Sequence, residues 1–361
     1  MPDTFNSSLL LLARQYRGMS QSEVAQASGI NQGHYSRIEN GLLAEGPSQD
    51  NVVRIANALG FSTTYFFADS EVAGLPLSVH PFNRKRAALG ERALRSIHAE
   101  LNIRLMHIRW LLNAVDLAPE APLPEIDPDE GGGPETIARK IRQAWTIPDG
   151  PISNLTLLCE RAGVLVVHCE LDPLIDGVSM RVRGLPPCIF LNRNSPGGRL
   201  RFSLAHELGH AIMHRVPTDT IEDEANAFAA ELLVPERTFR RQLIGQRVTL
   251  EVLARQKAYW KTSMNFLLYR ASNLGVLNRN QSEYLWKQMA VRGWRTSEPQ
   301  ETEFDREKPS LFSRIVRLHS EELGYSLADF SRFLRISEAD IATMYGRDLV
   351  GKGKPKLFVV K

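Results

Sequence analysis

The sequence predicts a multidomain, mainly α-helical chain with a small β-sheet, and three observations carry that expectation. Apolar residues recur at spacings of three and four over long stretches towards both ends, as helices place them. Two runs, "GVLVVHCE" (Gly163 to Glu170) and "PCIFLN" (Pro187 to Asn192), are rich in branched and aromatic residues and bounded by Gly, Pro and Asn, as short strands are. Two polar, Pro-containing stretches interrupt these patterns, and 361 residues at 43% hydrophobic suffice for more than one core.

Composition narrows the function classes. The formal net charge of +3 neither demands nor excludes nucleic acid. No charged-then-apolar leader opens the chain, and "LLLLA" (Leu9 to Ala13) is too short to span a bilayer, so a cytoplasmic protein without a membrane partner is expected. Cys159, Cys169 and Cys188 are odd in number and lack CxxC spacing, which points to buried, reduced thiols. Residues 118–134 carry five prolines, a triple glycine and five acids and read as a linker. A second polar stretch, Gly293 to Pro309, sets off a C-terminal helical piece.

The N-terminal elements follow from local signals. In "GMSQSEVAQASGINQGHYSRIENG" (Gly18 to Gly41), Ser20 can cap a helix whose third residue, Glu23, reaches back to close a capping box. Ser28-Gly29 make a tight turn, and a second helix runs from about Asn31, with Tyr35 and Ile38 inward and Gly41 past its end. Two short helices at a glycine turn form a helix-turn-helix. With "NVVRIANALGFSTTYFF" (Asn51 to Phe67), residues 7 to 67 resemble the lambda-repressor-like (Xre) DNA-binding family, an all-α fold. That resemblance implies a double-stranded DNA operator as partner, with the second helix in the major groove and Asn31, Gln32, Gly33, Ser36 and Arg37 at the bases. The Gln32 amide can pair with adenine, and Arg37 can reach guanine or a phosphate. Gln21 and Asn40 match positions that contact backbone phosphates in the family. Residues 1–67 hold four Arg, no Lys and five acids, a weak basis for phosphate affinity.

The segment Asn83 to Trp110 has seven Arg or Lys against two Glu. Leu94, Ile97, Leu101, Leu105, Ile108 and Leu112 lie at helical spacing on one stripe. Packing on a neighbouring domain and homodimerisation on a palindromic operator both fit this stripe.

Residues 135 to 200 combine a short amphipathic helix (Ile137, Ile141, Trp145) with the two strand-like runs. "RFSLAHELGHAIMH" then reads as a buried helix. His206 and His210, four apart, share a face and can aim imidazole nitrogens at one metal ion, most often zinc. Glu207 sits about 100 degrees round the helix, suited to take a proton from a water whose pKa the metal lowers. His214 lies about 12 Å along the axis from His206, too far to share the ion, and is expected behind the ligands or in a structural role. In "IEDEANAFAAELLVPE" (Ile221 to Glu236), Glu222 would be the third ligand, Asn226 could fix a ligand histidine's tautomer, and Glu224 is the alternative ligand. The alanines Ala225, Ala229 and Ala230 allow a close helix approach.

Together with Gly150 to Val166, Ile175 to Ser179 and Phe190 to Phe202, these motifs resemble the ImmA/IrrE family of zinc metallopeptidases over residues 135 to 240. The resemblance implies an α+β gluzincin-like fold, zinc with manganese as an alternative in vivo, and endopeptidase action on a transcriptional repressor. His206, His210 and Glu222 would then be ligands and Glu207 the catalytic base. The strand at Cys188 to Asn192 could hold the substrate by strand addition.

Leu253 to Met289 is helical by period and resembles the tail found on fused Xre and ImmA/IrrE regulators. "GYSLADFSRFLRIS" (Gly324 to Ser337) echoes Gly18 to Asn31, but Arg335 stands where the turn glycine would be, so a packing helix pair is favoured over a degenerate helix-turn-helix. The expected organisation is a DNA-binding domain (1–70), a basic helical connector (71–117), the linker (118–134), a metallopeptidase domain (135–245) and a helical C-terminal region (246–361). Two functions stay open: a DNA-associated protease that cuts a repressor, and a non-proteolytic regulator or antitoxin-like protein that uses the metallopeptidase fold to sense a metal, ligand or partner.

Overall fold

A computed structural model describes residues 4–74, 90–115, 119–299 and 304–349. Residues 83–89 of the basic segment and 350–361 of the C-terminal region lie outside the described residues, as do 116–118 at the expected linker boundary. The described chain is mostly helical, with a three-stranded sheet, and forms two compact units. The first comprises 4–74, 90–115 and 311–349, the second 119–299 and 304–310.

The first unit begins with α1 (Ser7–Tyr16), α2 (Gln21–Ser28), α3 (Gln32–Glu39) and α4 (Gln49–Leu59). Short-range chemistry sets their ends. Ser20 and Glu23 make the capping box of α2, and Gly29 closes it in the left-handed region at φ 64°, where a side chain would be strained. Asn31 caps α3 by accepting from the Gly33 and His34 amides. Leu9, Leu10, Val24, Tyr35, Ile38, Ile55 and Phe66 fill the core between the helices.

Helix α5 (Glu91–Leu112) packs on α1, and every residue from Leu101 to Ile108 is buried. The middle of the apolar stripe, Leu101, Leu105 and Ile108, is spent on the unit's own core, whereas Leu94, Ile97 and Leu112 are partly exposed. Polar residues between them are buried too, with Arg104 paired to Glu100 and His107 hydrogen-bonded to Tyr345.

The second unit starts with the stretch expected to be a linker. Its two large aliphatic residues, Leu123 and Ile126, pack against the core, and the Ile126 amide donates to the Ile212 carbonyl at 3.1 Å. Prolines allow this extended path because it needs few backbone donors. Helices α6 (Pro134–Ala144) and α7 (Leu155–Arg161) lead into β1 (Leu165–Cys169), β2 (Gly177–Met180) and β3 (Cys188–Asn192). The sheet order is β1-β3-β2, with β1 parallel and β2 antiparallel to β3. This corrects the expectation that Cys188 to Asn192 receives a substrate strand: β3 is the middle strand, and both its edges are already paired.

Two helices then carry the site, α8 (Gly197–Met213) and α9 (Ile221–Leu233). Four more, α10 (Glu236–Leu243), α11 (Leu250–Trp260), α12 (Met264–Asn273) and α13 (Arg279–Val291), complete the unit around Phe239, Trp260 and Leu267. The returning segment is stapled to this unit: Glu307 accepts from the Leu155 and Thr156 amides and pairs with buried Arg201.

The last described elements belong to the first unit: α14 (Leu311–Arg317), a π-helical turn (Leu318–Glu322), α15 (Leu327–Leu334) and α16 (Glu338–Leu349). The expected single C-terminal region is thus divided between the units near residue 310. The echo of the N-terminal motif is structural: Ser326 and Asp329 form a capping box, and Arg335 occupies the left-handed position at φ 60°. The pair serves packing. Residues 335–337 bridge to 60–62, and Asp340 at the start of α16 pairs with Arg17 at 2.6 Å.

Candidate metal centre and nucleic-acid interface

The metal centre arises where α8 and α9 cross. A Cβ on Gly209 would lie 3.0 Å from Phe228 Cδ1 and 3.4 Å from Ala225 Cα, so only a glycine permits the crossing as it stands. That closeness brings Glu222 and Asn226, one turn apart on α9, onto the face where α8 presents His206 and His210. The His206 and His210 Nε2 atoms are 3.0 Å apart, and Glu222 oxygens lie 3.4 Å and 3.1 Å from them. Among the described residues, these three form the one group of His, Cys, Asp or Glu ligand atoms that could share a metal ion.

The hydrogen bonds behind the imidazoles define their tautomers. His206 Nδ1 donates to Asn226 Oδ1 at 3.0 Å, which leaves the Nε2 of the neutral ring bare. His214 Nε2 donates to Glu224 Oε2 at 2.9 Å, so neutral His214 has a bare Nδ1. That atom lies 2.9 Å from His210 Nδ1, which must supply the proton and leave the His210 Nε2 bare as well. Two nitrogen lone pairs and a carboxylate therefore converge, an arrangement that calls for a cation between them. Burial works against charge on His206, but Glu222, Glu207 and Asn226 outweigh it and its pKa is raised. Burial also opposes ionisation of Glu222, yet the His206 and His210 rings facing it hold its pKa well below the ordinary carboxylate value. Burial keeps His214 below the ordinary histidine value despite Glu224.

Glu207 projects beside this cluster. It is 3% exposed, and its Oε2 has no protein hydrogen-bond partner. A Cβ on Gly177 of β2 would come within 3.2 Å of Glu207 Cγ, so the strand backbone presses directly on this side chain. Sequence reasoning passed over Gly177, although a glycine opening a strand is a signal for close backbone approach.

In the first unit, Asn31, Gln32, Gly33, Arg37 and Asn40 are exposed along α3 and Ser36 is partly exposed. Their side chains differ in availability. Asn31 is engaged as the cap of α3, and Asn40 Nδ2 donates to the Ser36 carbonyl and hydroxyl. Gln21 donates to Glu39, which also pairs with Arg14.

Fold and site together define a helix-turn-helix protein that also carries a metallopeptidase-type domain with a possible His/Glu metal group. Residues 10–66 match the helix-turn-helix family, and residues 159–272 match the IrrE N-terminal-like domain family, peptidase M78. The chain is thus a fusion of the two, in that order. A search of the curated proteins finds no match. No helix among the described residues is long and apolar enough to cross a membrane.

Proposed function

We propose that this DNA-binding regulator is a zinc-dependent endopeptidase that cleaves a transcriptional repressor. The observation that carries the reading is the convergence of His206, His210 and Glu222 beside the buried, unpartnered carboxyl oxygen of Glu207. A bare-nitrogen pair with one carboxylate suits zinc, with manganese as the alternative in the cell. Zinc would supply Lewis acidity there, polarising a carbonyl and lowering a water's pKa.

The chain's own groups do the rest. Glu207 takes the proton from the attacking water and returns it to the leaving amine, one carboxyl serving first as base and then as acid. Asn226 holds the tautomer of His206, and the Glu224–His214 pair holds that of His210. A substrate strand adding to the outer edge of β2, which no described strand pairs, would run past Gly177, which lies against Glu207. Helix α3 reads an operator, with the unengaged side chains of Gln32 and Arg37 as its base-contacting groups. DNA and a repressor as partners assign the activity to the cytoplasm.

The test compares protein N-termini across the proteome of cells carrying the wild type or Glu207→Gln, with and without DNA damage. A new N-terminus inside a repressor, present only with Glu207, supports the reading and names the substrate. Identical N-termini under every condition, with metal and DNA binding intact, would replace it with the non-proteolytic sensor.

A further inference from the structure

The helix-turn-helix is poor in free positive charge. Of the four arginines in residues 1–67, Arg14 pairs with Glu39 and Arg17 with Asp340, both largely buried, while Arg54 makes only an exposed surface pair with Asp50. Among the described residues of 1–67, Arg37 is the arginine outside an ion pair. Duplex affinity rests largely on neutralising phosphates, so residues 10–66 alone are under-equipped for it.

Helix α5, beyond the matched helix-turn-helix, supplies what is missing. Its first turns lie over the α1–α2 connection: Arg92 Nε donates to the Gly18 carbonyl at 2.6 Å, and Ser96 Oγ to the Tyr16 carbonyl at 3.4 Å. There Arg92 and Arg95 line a cleft of about 380 Å³ together with Gln21 and Gln32, the first residues of α2 and α3. Besides Arg14, which Glu39 holds, Arg92 and Arg95 are the charged residues of the lining, and it contains no acid. Arg92 and Arg95 do face Glu23 at 3.8 Å and Glu91 at 3.3 Å, but with arginine side chains 72% and 58% exposed these are surface pairs that yield readily to a better partner.

We propose that α5 is part of the DNA-binding face, with Arg92 and Arg95 binding backbone phosphates of the duplex whose bases α3 reads. The inference rests on the DNA-binding reading of the helix-turn-helix. Guanidinium groups suit phosphate because their planar donors engage two oxygens at once. Gln32 shares the cleft with both arginines, so a phosphate seated on them lies at the rim of the groove that the start of α3 enters.

The test is a salt series with the full chain and a fluorescent 30-base-pair duplex of mixed sequence, read by anisotropy. The expected result for Arg92→Gln/Arg95→Gln is a salt slope of log affinity shallower by about 1.8, from two contacts at ~0.9 each. Arg92→Lys/Arg95→Lys, which keeps the charge, should retain the wild-type slope. Arg279→Gln, on α13 and 91% exposed, should leave the slope unchanged. A double Gln variant with the wild-type slope, while Arg37→Gln lowers it, overturns the role of α5. An equal loss with Arg279→Gln overturns it as well, because diffuse surface charge would then explain the binding. A wild-type chain that binds no duplex at any salt would instead remove the DNA-binding reading itself.

Discussion

Replacing Gly209 by valine should loosen the metal centre without touching a ligand. In place of its hydrogen, a Cβ would sit 3.0 Å from Phe228 Cδ1 and 3.4 Å from both Phe228 Cγ and Ala225 Cα. Favourable carbon contacts lie at about 3.5–4.0 Å, so one carbon already asks α9 to retreat by about half an ångström, and two further methyl groups ask for more. Overpacking of this kind costs about 1–3 kcal/mol, against which exchanging a helical glycine for β-branched valine returns only about 0.4 kcal/mol. The variant should fold, with a modest net loss. Its larger effect is positional: Glu222 rides on α9, 3.1 Å from His210 Nε2, and metal–ligand distances tolerate only about 0.2 Å. Zinc affinity, measured by competition with a chromophoric chelator, should fall about 10- to 100-fold, the range seen when groups that support ligands are disturbed. Circular dichroism on the same sample separates this from unfolding. A folded Gly209→Val protein that binds zinc like the wild type would refute the claim that the helix crossing positions Glu222.

The other predictions are briefer. Glu207→Gln should lower peptide hydrolysis by at least about 10²-fold, the usual scale for losing a general base, while zinc affinity stays within a factor of a few; comparable turnover would remove Glu207 from the chemistry. His214→Ala should weaken zinc binding about 10- to 100-fold, and Glu224→Gln should weaken it less, because the amide still accepts from His214 Nε2; zinc titrations in which both match the wild type would dismiss the relay behind His210. His107 is fully buried, and burial, reinforced by Arg104, holds its pKa down at about 3. The unfolded chain then binds the extra proton below about pH 6.5, so stability falls as pH drops from 6.5 towards 3, by about 2 kcal/mol at pH 5. Denaturant melts of His107→Leu should show a flatter pH dependence, and an unchanged slope would mean that another group carries it.

Much of this architecture was legible because it rests on local chemistry. The Ser20–Glu23 capping box, Gly29 in the left-handed region and the i, i+4 spacing of His206 and His210 are short-range relations, and they appear in the structure at those residues. Asn226 was legible for the same reason, four residues from Glu222 on one face. What stayed hidden depends on distant partners. Nothing near Arg17 announces Asp340, more than 300 residues away, so the C-terminal helices could not be assigned to the first unit from sequence. The Pro-rich stretch was read from composition, which does not register that Leu123 and Ile126 are enough to anchor it. β2, Gly-Val-Ser-Met, is only four residues long and gives too short a pattern to be read as a strand, and without β2 the sheet order could not be known. Gln21 shows a limit of another kind: its position in the motif was clear, but its amide is held by Glu39.

The measurement that bears most directly on the central claim is metal stoichiometry of the purified full chain by native mass spectrometry, for the wild type, Glu207→Gln and the double variant His206→Ala/His210→Ala. The account predicts one zinc ion per chain in the first two and none in the third. A wild-type chain that takes up no divalent metal, or a double variant that still holds one, would contradict the assignment of His206, His210 and Glu222 as a metal centre.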